Sequence, residues 1–341
     1  MGKTSVIKKM EFEPPFGKLA IFRDLEGIES PIEFVEAIWR DVETYLSKTH
    51  KATENARKFL NQFQGVEISG FKIPQVAATQ WKVLLAKIIE DLVTNQDRQV
   101  VLLWDEMPYM LDKMSDREAM EILDTLRSLR QTYSDIRMVF TGSIGLHHIV
   151  NQLKAKGYSN EPTNDMYPID IKPLLEKDAV KLSKLLIAGE NIPVATNQQI
   201  AESIANSVGC IPFYIHHLIS SFKYTQQPVD IAMVKAKVAE SIIDPLNPWK
   251  MEHYRDRIDN YHNPQQQEYA LEILDILAIE TNLNFSDLLN RVKTELETAK
   301  KEEVRKAIKL LLKDYYLIQD NATYTFRYEI VRQYWQADRG L

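Results

Sequence analysis

Seven residues, 100–106, place the strongest constraint on how this chain can fold. They read Val-Val-Leu-Leu-Trp-Asp-Glu, so five apolar residues end abruptly in two carboxylates. Unbroken hydrophobicity predicts a strand buried on both faces, as in a parallel sheet covered by helices. Asp105 and Glu106 would then lie at the carboxyl end of that strand, where open α/β sheets bind ligands and where acids suit a hydrated Mg²⁺ and an attacking water. An ordinary strand that closes in an acidic turn would look the same, so the other motifs decide.

Composition describes an ordinary globular protein of two or three domains. The 341 residues are 45% apolar and 26% charged, with a net charge of −6. That charge argues against a generally basic nucleic-acid or membrane-surface protein, although it leaves room for local basic faces. Cys210 is the single cysteine, so an internal disulfide framework is excluded. No apolar run reaches the roughly 18 residues of a membrane span and no signal peptide is recognisable, so we expect a cytoplasmic protein without membrane contact.

The chain begins with a motif that is typical of phosphate binding. Gly2-Lys3-Thr4-Ser5 at a helix start matches the second half of the loop G-x-x-x-x-G-K-[ST]. In such a loop, N–H groups at the helix N-terminus hold phosphate oxygens. Lys3 would reach the β and γ phosphates, and the Thr4 hydroxyl would ligate Mg²⁺. The first glycine of the loop and its preceding strand are absent, and an ordinary helix start is the alternative.

Short hydroxyl side chains follow a second apolar stretch. Residues 136–140 predict a buried strand, and Thr141-Gly142-Ser143 come directly after it. If the sheet is parallel, these residues lie beside Asp105. Their hydroxyls can orient a water or a γ-phosphate, or they can cap a helix that begins near Ile144. Both interpretations stay open at this point.

The remaining pattern of the first half alternates between strands and helices. Strands are predicted at residues 19–22 and 167–171. One helix is predicted after Ser30, a second at 75–94, and a third after a capping box at 115–118. Residues 50–73 are more polar and are predicted to decorate the surface. This alternation predicts an α/β domain.

From Lys172 onward the pattern is almost purely helical. Helices are predicted at 176–188, 197–207, 213–222 and 229–242, with Gly209 and Pro212 at a helix end and a helix start. Residues 244–248 resemble a linker. Helices at 265–280, 285–295 and 301–314 then precede a hairpin signal at 317–326 and a last helix. Three helices and a β-hairpin predict a winged helix.

The order of these motifs resembles a known group of ATPases. Gly-Lys-Thr, Asp-Glu after a buried strand, Thr-Gly-Ser after the next strand and Gly-x-x-Pro within helices occur in this order in the AAA-related ATPases of the STAND-like group. The family often called archaeal ATPases is the most similar, also around residues 22–34 and 105–108. The resemblance covers nearly the whole chain. It implies a parallel-sheet P-loop NTPase core at 1–172, a helical lid subdomain at 173–245 and a winged-helix domain at 255–341.

The resemblance also implies a cofactor and roles for individual residues. ATP and Mg²⁺ would bind to the Walker A residues, which are Gly2, Lys3, Thr4 and Ser5. Asp105 would be the Walker B acid that binds magnesium, and Glu106 would polarise the attacking water. Thr141 and Ser143 fall at the sensor position, and Pro212 would lie near the adenine.

The sequence departs from that family in two places. No arginine closely follows the Thr-Gly-Ser segment, so no arginine finger is assigned, and Arg127, Arg130 and Arg137 are only candidates. The Walker A loop is also cut in half, and in this family the strand before it lies between the strands ending at Thr141 and Ile171. Because the facing edges of those strands would then lose their partners, we expect Met1 to be an internal methionine of a longer protein.

Three functions are compatible with these patterns. The first is an ATP-driven switch that couples nucleotide state to the winged helix and to an unidentified protein partner or a second copy. The second is a DNA-associated AAA ATPase that uses a basic face of the helix at 301–314, including Arg305 and Lys309. Residues 261–341 carry 11 Lys/Arg against 13 Asp/Glu, so a solvated or internally docked face is favoured over DNA binding. The third is a fragment impaired by its incomplete loop.

Overall fold

The computed structural model describes residues 2–47, 53–62, 72–73 and 75–341. Its internal contacts divide the chain into two units, the first formed by Lys3–Ile169 and the second by Asp170–Leu341 together with Gly2. Within the described ranges, no helix is long and apolar enough to cross a membrane.

Three parallel strands form the centre of the first unit. In chain order they are β1 (Lys18–Asp24), β2 (Gln99–Asp105) and β3 (Ile136–Phe140). β2 lies between the other two, and the register pairs Asp24 with Asp105 and Trp104 with Phe140. The strands therefore end at one edge of the sheet, which confirms the parallel α/β core predicted from the unbroken apolar stretches.

The strand predicted at residues 167–171 is not formed. This stretch has no regular structure, and Tyr167 and Ile169 are 87% and 69% exposed. Among the described strands, only β2 pairs with β3, so no neighbour is present to hydrogen-bond with residues 167–171. The prediction was wrong because alternation of apolar residues favours a strand only where a partner strand lies beside it.

Helices cover both faces of the parallel sheet. They are α1 (Lys3–Phe12), α2 (Pro31–Ser47), α3 (Glu54–Leu60), α4 (Gln75–Ala78), α5 (Trp81–Thr94), α6 (Met107–Lys113), α7 (Asp116–Thr132) and α8 (Leu146–Ala155). Side chains alternate along a strand, so Val101 and Leu103 pack with α1 whereas Leu102 and Trp104 pack with the other helices. The single helix predicted at 75–94 is wrong, since the chain turns at residues 79–80 between α4 and α5.

The polar stretch predicted to decorate the surface contains α3, which packs into the core. Ala56 and Leu60 are fully buried. The buried carboxylate of Asp91 accepts hydrogen bonds from the N–H groups of Asn55 (3.1 Å) and Ala56 (3.0 Å), which caps the first turn of α3. The surface prediction was therefore wrong for residues 53–62, and the rest of the stretch lies largely outside the described residues.

The second unit combines helices with a small antiparallel sheet. Its helices are α9 (Glu176–Gly189), α10 (Asn197–Ser207), α11 (Pro212–Ser221), α12 (Ile231–Ile243), α13 (His253–Tyr261), α14 (Pro264–Glu280), α15 (Phe285–Glu295), α16 (Lys301–Lys313) and α17 (Glu329–Arg339). Its strands are β4 (Leu283–Asn284), β5 (Leu317–Asp320) and β6 (Thr323–Phe326), in the order β4-β6-β5. One apolar core contains residues from Ala179 to Trp335. The predicted lid and winged-helix domain therefore share a core, and the boundary between them at residues 245–255 stays a prediction.

The predicted hairpin at residues 317–326 is formed by β5 and β6. Gln319 pairs with Tyr324 and Asp320 with Thr323, which leaves a turn of two residues. Those residues, Asn321 and Ala322, have φ angles of 43° and 71°, as a type I′ turn requires.

Candidate functional site

The carboxylate of Asp105 joins three separate segments of the first unit. Asp105 ends β2 and is only 3% exposed. The Thr4 hydroxyl donates to one carboxylate oxygen, Oδ2, at 2.5 Å, and the Thr141 hydroxyl donates to the other. The start of α1 and the end of β3 thus meet at this acid, as the sequence predicted for residues at the carboxyl ends of parallel strands.

The N-terminus of α1 carries the predicted phosphate-binding residues. Gly2 has a φ of 81°, which favours glycine because a side chain is strained in that region, and α1 begins at Lys3. The Lys3 ammonium donates to the carbonyl oxygen of Gly142. Ser5 is exposed on the first turn of the same helix. Lys3 and Thr4 therefore lie with Asp105 and the residues after β3, and a role for Ser5 stays a prediction.

Glu106 is held by the residue that the sequence placed at the sensor position. The Glu106 carboxylate accepts hydrogen bonds from the Ser143 N–H at 3.0 and 3.1 Å and from the Ser143 hydroxyl at 2.8 Å. Glu106 itself has φ 54° and ψ 29°, a left-handed conformation that costs about 1–2 kcal/mol for a residue with a side chain. In this conformation Glu106 joins β2 to α6 while its carboxylate contacts the loop after β3.

The alternative that Thr141 or Ser143 caps the next helix was wrong. That helix, α8, begins at Leu146 with Gly145 at the N-cap, and no side chain caps it. The hydroxyls of Thr141 and Ser143 donate instead to Asp105 and Glu106. The two acids and the two hydroxyls thus form two adjacent pairs, the buried Asp105 with the half-buried Thr141 and the half-buried Glu106 with the exposed Ser143.

Gly142 and Pro108 are site residues that the sequence analysis missed. A Cβ atom on Gly142 would lie 2.6 Å from Pro108 Cδ and 3.0 Å from Pro108 Cγ, which is closer than atoms of a rigid ring can tolerate. The loop after β3 can therefore approach α6 only with glycine at this position. The available signal was a glycine between two hydroxyl residues and a proline two residues after Glu106, but their contact depends on residues 34 positions apart.

Two of the three arginines proposed as candidate fingers, Arg130 and Arg137, have structural partners, whereas the buried Nε of Arg127 has no hydrogen-bond partner among the residues that the structure describes. The Arg130 side chain is 8% exposed, binds Asp165 with two hydrogen bonds of 2.8 Å, and donates to the Pro162 carbonyl at 2.6 Å. Its guanidinium lowers the pKa of Asp165 below the ordinary value. Arg137 donates to the carbonyl oxygens of Ser134 and Ile136 at 2.7 and 2.8 Å. Both side chains therefore bind backbone carbonyl oxygens of the same unit, and an arginine finger is still not assigned.

The second unit contains the other predicted binding residue and the basic helix face. Pro212 is the first residue of α11, and its place near the adenine stays a prediction. On α16, Arg305 pairs with Glu302 at 2.7 Å and Lys306 pairs with Glu303 at 2.8 Å. These basic side chains are thus partly neutralised by acids one turn away on the same helix.

The donor atoms around Asp105 suit magnesium rather than a softer metal. The Thr4 hydroxyl and the Asp105 carboxylate are hard oxygen donors, and Thr141 adds a third. Mg²⁺ prefers such oxygens and keeps several of its water ligands, so one or two protein groups are enough. Nitrogen or sulfur ligands, which zinc or copper sites use, are not among these contacts.

Comparison with solved structures gives an independent result for the fold. The structure of the Walker-type ATPase PABY2304 of Pyrococcus abyssi matches with a TM-score of 0.59 and 15% sequence identity, over 98% of this chain and 88% of that one. No family model matches the sequence, and no curated protein matches it. The chain has the fold of a P-loop ATPase.

Proposed function

We propose that this protein is an ATP-binding and ATP-hydrolysing molecular switch of the STAND/AAA type. One observation carries the proposal: the helix-start hydroxyl of Thr4 and the strand-end hydroxyl of Thr141 both donate to the buried carboxylate of Asp105. A phosphate-binding helix start beside a strand-end acid is the arrangement that P-loop enzymes use to hold a nucleotide and its metal. The match to a Walker-type ATPase supports the same conclusion at the level of the fold.

The residues of the first unit divide the work of binding between them. The N–H groups at the start of α1 would hold phosphate oxygens, and the Lys3 ammonium would exchange the Gly142 carbonyl for phosphate. Thr4 and Asp105 would hold Mg²⁺, with Thr141 fixing the orientation of the Asp105 carboxylate. When bound, Mg²⁺ neutralises charge on the phosphate oxygens.

Glu106 is the group that would accept a proton from the attacking water. Its carboxylate is directed toward the loop after β3 by Ser143, which donates both its N–H and its hydroxyl. A general base must be held in a fixed orientation within hydrogen-bond reach of the water. Ser143 supplies that orientation through its N–H and its hydroxyl.

The second unit supports the finer part of the proposal. The order α14, β4, α15, α16, β5, β6 supports a winged helix, in which the hairpin β5–β6 would be the wing. The helices between residues 173 and 245 would form the lid, with Pro212 near the adenine. We propose that nucleotide binding and hydrolysis in the core change what the winged helix contacts, a protein partner or a second copy. DNA is less favoured as that partner, because Arg305 and Lys306 already pair with acids on α16.

Replacement of Glu106 tests the proposed hydrolysis. In Glu106→Gln the side chain keeps its size, so the affinity for Mg·ATP should stay within about threefold of the wild type. Hydrolysis should fall by about 100-fold or more, because the amide cannot accept the proton. Binding is measured with a fluorescent ATP analogue and turnover by phosphate release.

A matched control separates this effect from a loss of charge. Glu26→Gln removes an exposed carboxylate from the same unit, two residues after the end of β1, and should change neither quantity. Hydrolysis at the wild-type rate in Glu106→Gln would show that Glu106 is not the base. Absence of Mg·ATP binding by the wild-type chain would contradict the proposed function itself.

A further inference from the structure

Arg130 anchors the beginning of the segment that leads out of the first unit. Residues 162–165 form a turn, and Arg130 binds both its ends, the Pro162 carbonyl at 2.6 Å and the Asp165 carboxylate at 2.8 Å. The guanidinium also lies over the Phe140 ring, 5.8 Å from its centre. A buried arginine with a bidentate carboxylate is a strong and geometrically specific anchor.

The ring beneath Arg130 is continuous with the site. Phe140 stacks on Trp104 with ring centres 5.8 Å apart and planes within 6°. Thr141 follows Phe140 in the chain and Asp105 follows Trp104, so the stacked rings immediately precede the two residues that hydrogen-bond at the strand ends. A shift of either strand end therefore acts on the surface that supports Arg130.

Arg327 anchors the other end of the same segment. It follows β6 directly, its side chain is 14% exposed, and it binds the Asp170 carboxylate at 2.5 Å. Its Nε donates to the Tyr328 hydroxyl at 2.9 Å, and its guanidinium lies 4.7 Å from the Tyr315 ring centre and 5.5 Å from that of Tyr328. Its backbone N–H donates to the Tyr316 carbonyl at 2.7 Å. Arg327, which joins the hairpin β5–β6 to Asp170, is thus held in place by Tyr315, Tyr316 and Tyr328.

Few residues of the chain separate the two anchors. Only residues 166–169 separate Asp165 from Asp170, and they have no regular structure. Pro168 has a fixed φ angle and restricts Tyr167 to extended conformations. A short, stiff segment passes a displacement from one end to the other, whereas a long flexible linker would absorb it.

We propose that residues 162–170 form a doubly anchored connector that transmits the nucleotide state of the core to the hairpin β5–β6, through Arg130 at one end and Arg327 at the other. This inference rests on the proposed function, because the signal it transmits is the occupancy of the nucleotide site. Nucleotide binding moves the ends of β2 and β3, the stacked rings move Arg130, and the connector moves Arg327. The connector therefore acts directly on the hairpin β5–β6. The signal does not pass through the helices α9–α12, which follow the connector in the chain.

The anchor at Arg327 is tested first without nucleotide. Arg327→Gln and Asp170→Asn should each speed amide hydrogen exchange in residues 166–170 and in β5–β6 by about threefold or more. The double variant should exchange no faster than either single variant, because both changes break one interaction. The control is Asp259→Asn, which breaks the surface pair with Arg255 (3.0 Å) in the same unit and should leave these segments unchanged. Additive effects in the double variant would contradict a shared anchor.

The transmission is tested with a variant that keeps both anchors and adds slack. Four residues, Gly-Ser-Gly-Ser, are inserted after Ile169, and exchange in β5–β6 is compared with and without Mg·ATPγS. In the wild type the nucleotide should change this exchange by about threefold or more. In the insertion variant the change should disappear, while the affinity for Mg·ATPγS stays within about threefold of the wild type.

Each other outcome has a distinct meaning. A response of the hairpin that persists in the insertion variant, or a wild type that binds Mg·ATPγS without any response, overturns the connector and leaves the proposed function intact. A wild type without affinity for Mg·ATPγS overturns the proposed function, and the transmission of nucleotide state falls with it.

Discussion

The two faces of the parallel sheet are covered to very different depths. On one face, Trp104 and Leu102 lie in an extensive apolar cluster that includes residues from α2, α3 and α5–α8. On the other face, α1 packs on a small cluster whose buried members among the described residues are Ile7, Ala20, Val101 and Leu103. The first face, called the deep face, holds the domain together. The second, called the thin face, holds the helix that carries the predicted phosphate-binding residues.

Hydrogen bonds partly compensate for the small number of apolar contacts on the thin face. Thr4 donates to Asp105, Lys3 donates to the Gly142 carbonyl, and the Phe22 N–H donates to Glu11 at 3.0 Å. Those from Lys3 and Thr4 are the contacts that a bound nucleotide and its metal would replace or reshape. Because few apolar contacts hold α1, we expect it to open more readily than the helices on the opposite face.

The largest effect is expected on the deep face. Trp104→Ala removes a fully buried ring that stacks on Phe140 and packs edge-on against Phe34 at 5.2 Å. The free energy of unfolding of the first unit should fall by about 3–5 kcal/mol, the usual range for removing a buried aromatic side chain. Urea denaturation followed by circular dichroism measures it. A loss below about 1 kcal/mol would show that this cluster does not hold the sheet.

A smaller and local effect is expected on the thin face. Ile7→Ala removes the one buried side chain that α1 contributes, at a cost of about 2 kcal/mol. Because α1 can open without the rest of the sheet, amide exchange in the variant should be much faster in α1 than in β2, and the urea midpoint should fall by less than in Trp104→Ala. Equal exchange rates in α1 and β2 would show that the two faces of the sheet unfold together.

The sequence predicted β2, β3 and α7 well because these elements depend on local patterns. Unbroken apolar runs identified β2 and β3, and the Ser115 capping box on α7 is formed as expected, with Glu118 reaching back to the N-cap. The carboxylates at the end of β2 and the hydroxyls after β3 were placed together for the same reason, since parallel strands end at one edge.

What the sequence did not predict depends on residues that are distant in the chain. Residues 167–171 carry a strand pattern but have no strand beside them in the described part of the sheet. The anchors of the connector join Arg130 to Asp165 and Arg327 to Asp170, 35 and 157 residues apart. No local pattern indicates which of several arginines finds a given acid, because the choice is made by packing.

The smallest effect is expected where the loop after β3 meets α6, between the two faces. Gly142→Ala would place a Cβ 2.6 Å from Pro108 Cδ, so the loop must shift and stability should fall by about 1–2 kcal/mol. The shift also moves Ser143 from Glu106, so hydrolysis should fall by about tenfold while α1 exchanges as in the wild type. Gly27→Ala is the matched control, since no atom lies within 4 Å of its Cβ position and its φ is not positive. If Gly142→Ala lowered hydrolysis no more than Gly27→Ala, the orientation of Glu106 by Ser143 would be irrelevant to turnover, and the site would depend on Asp105 and α1 alone.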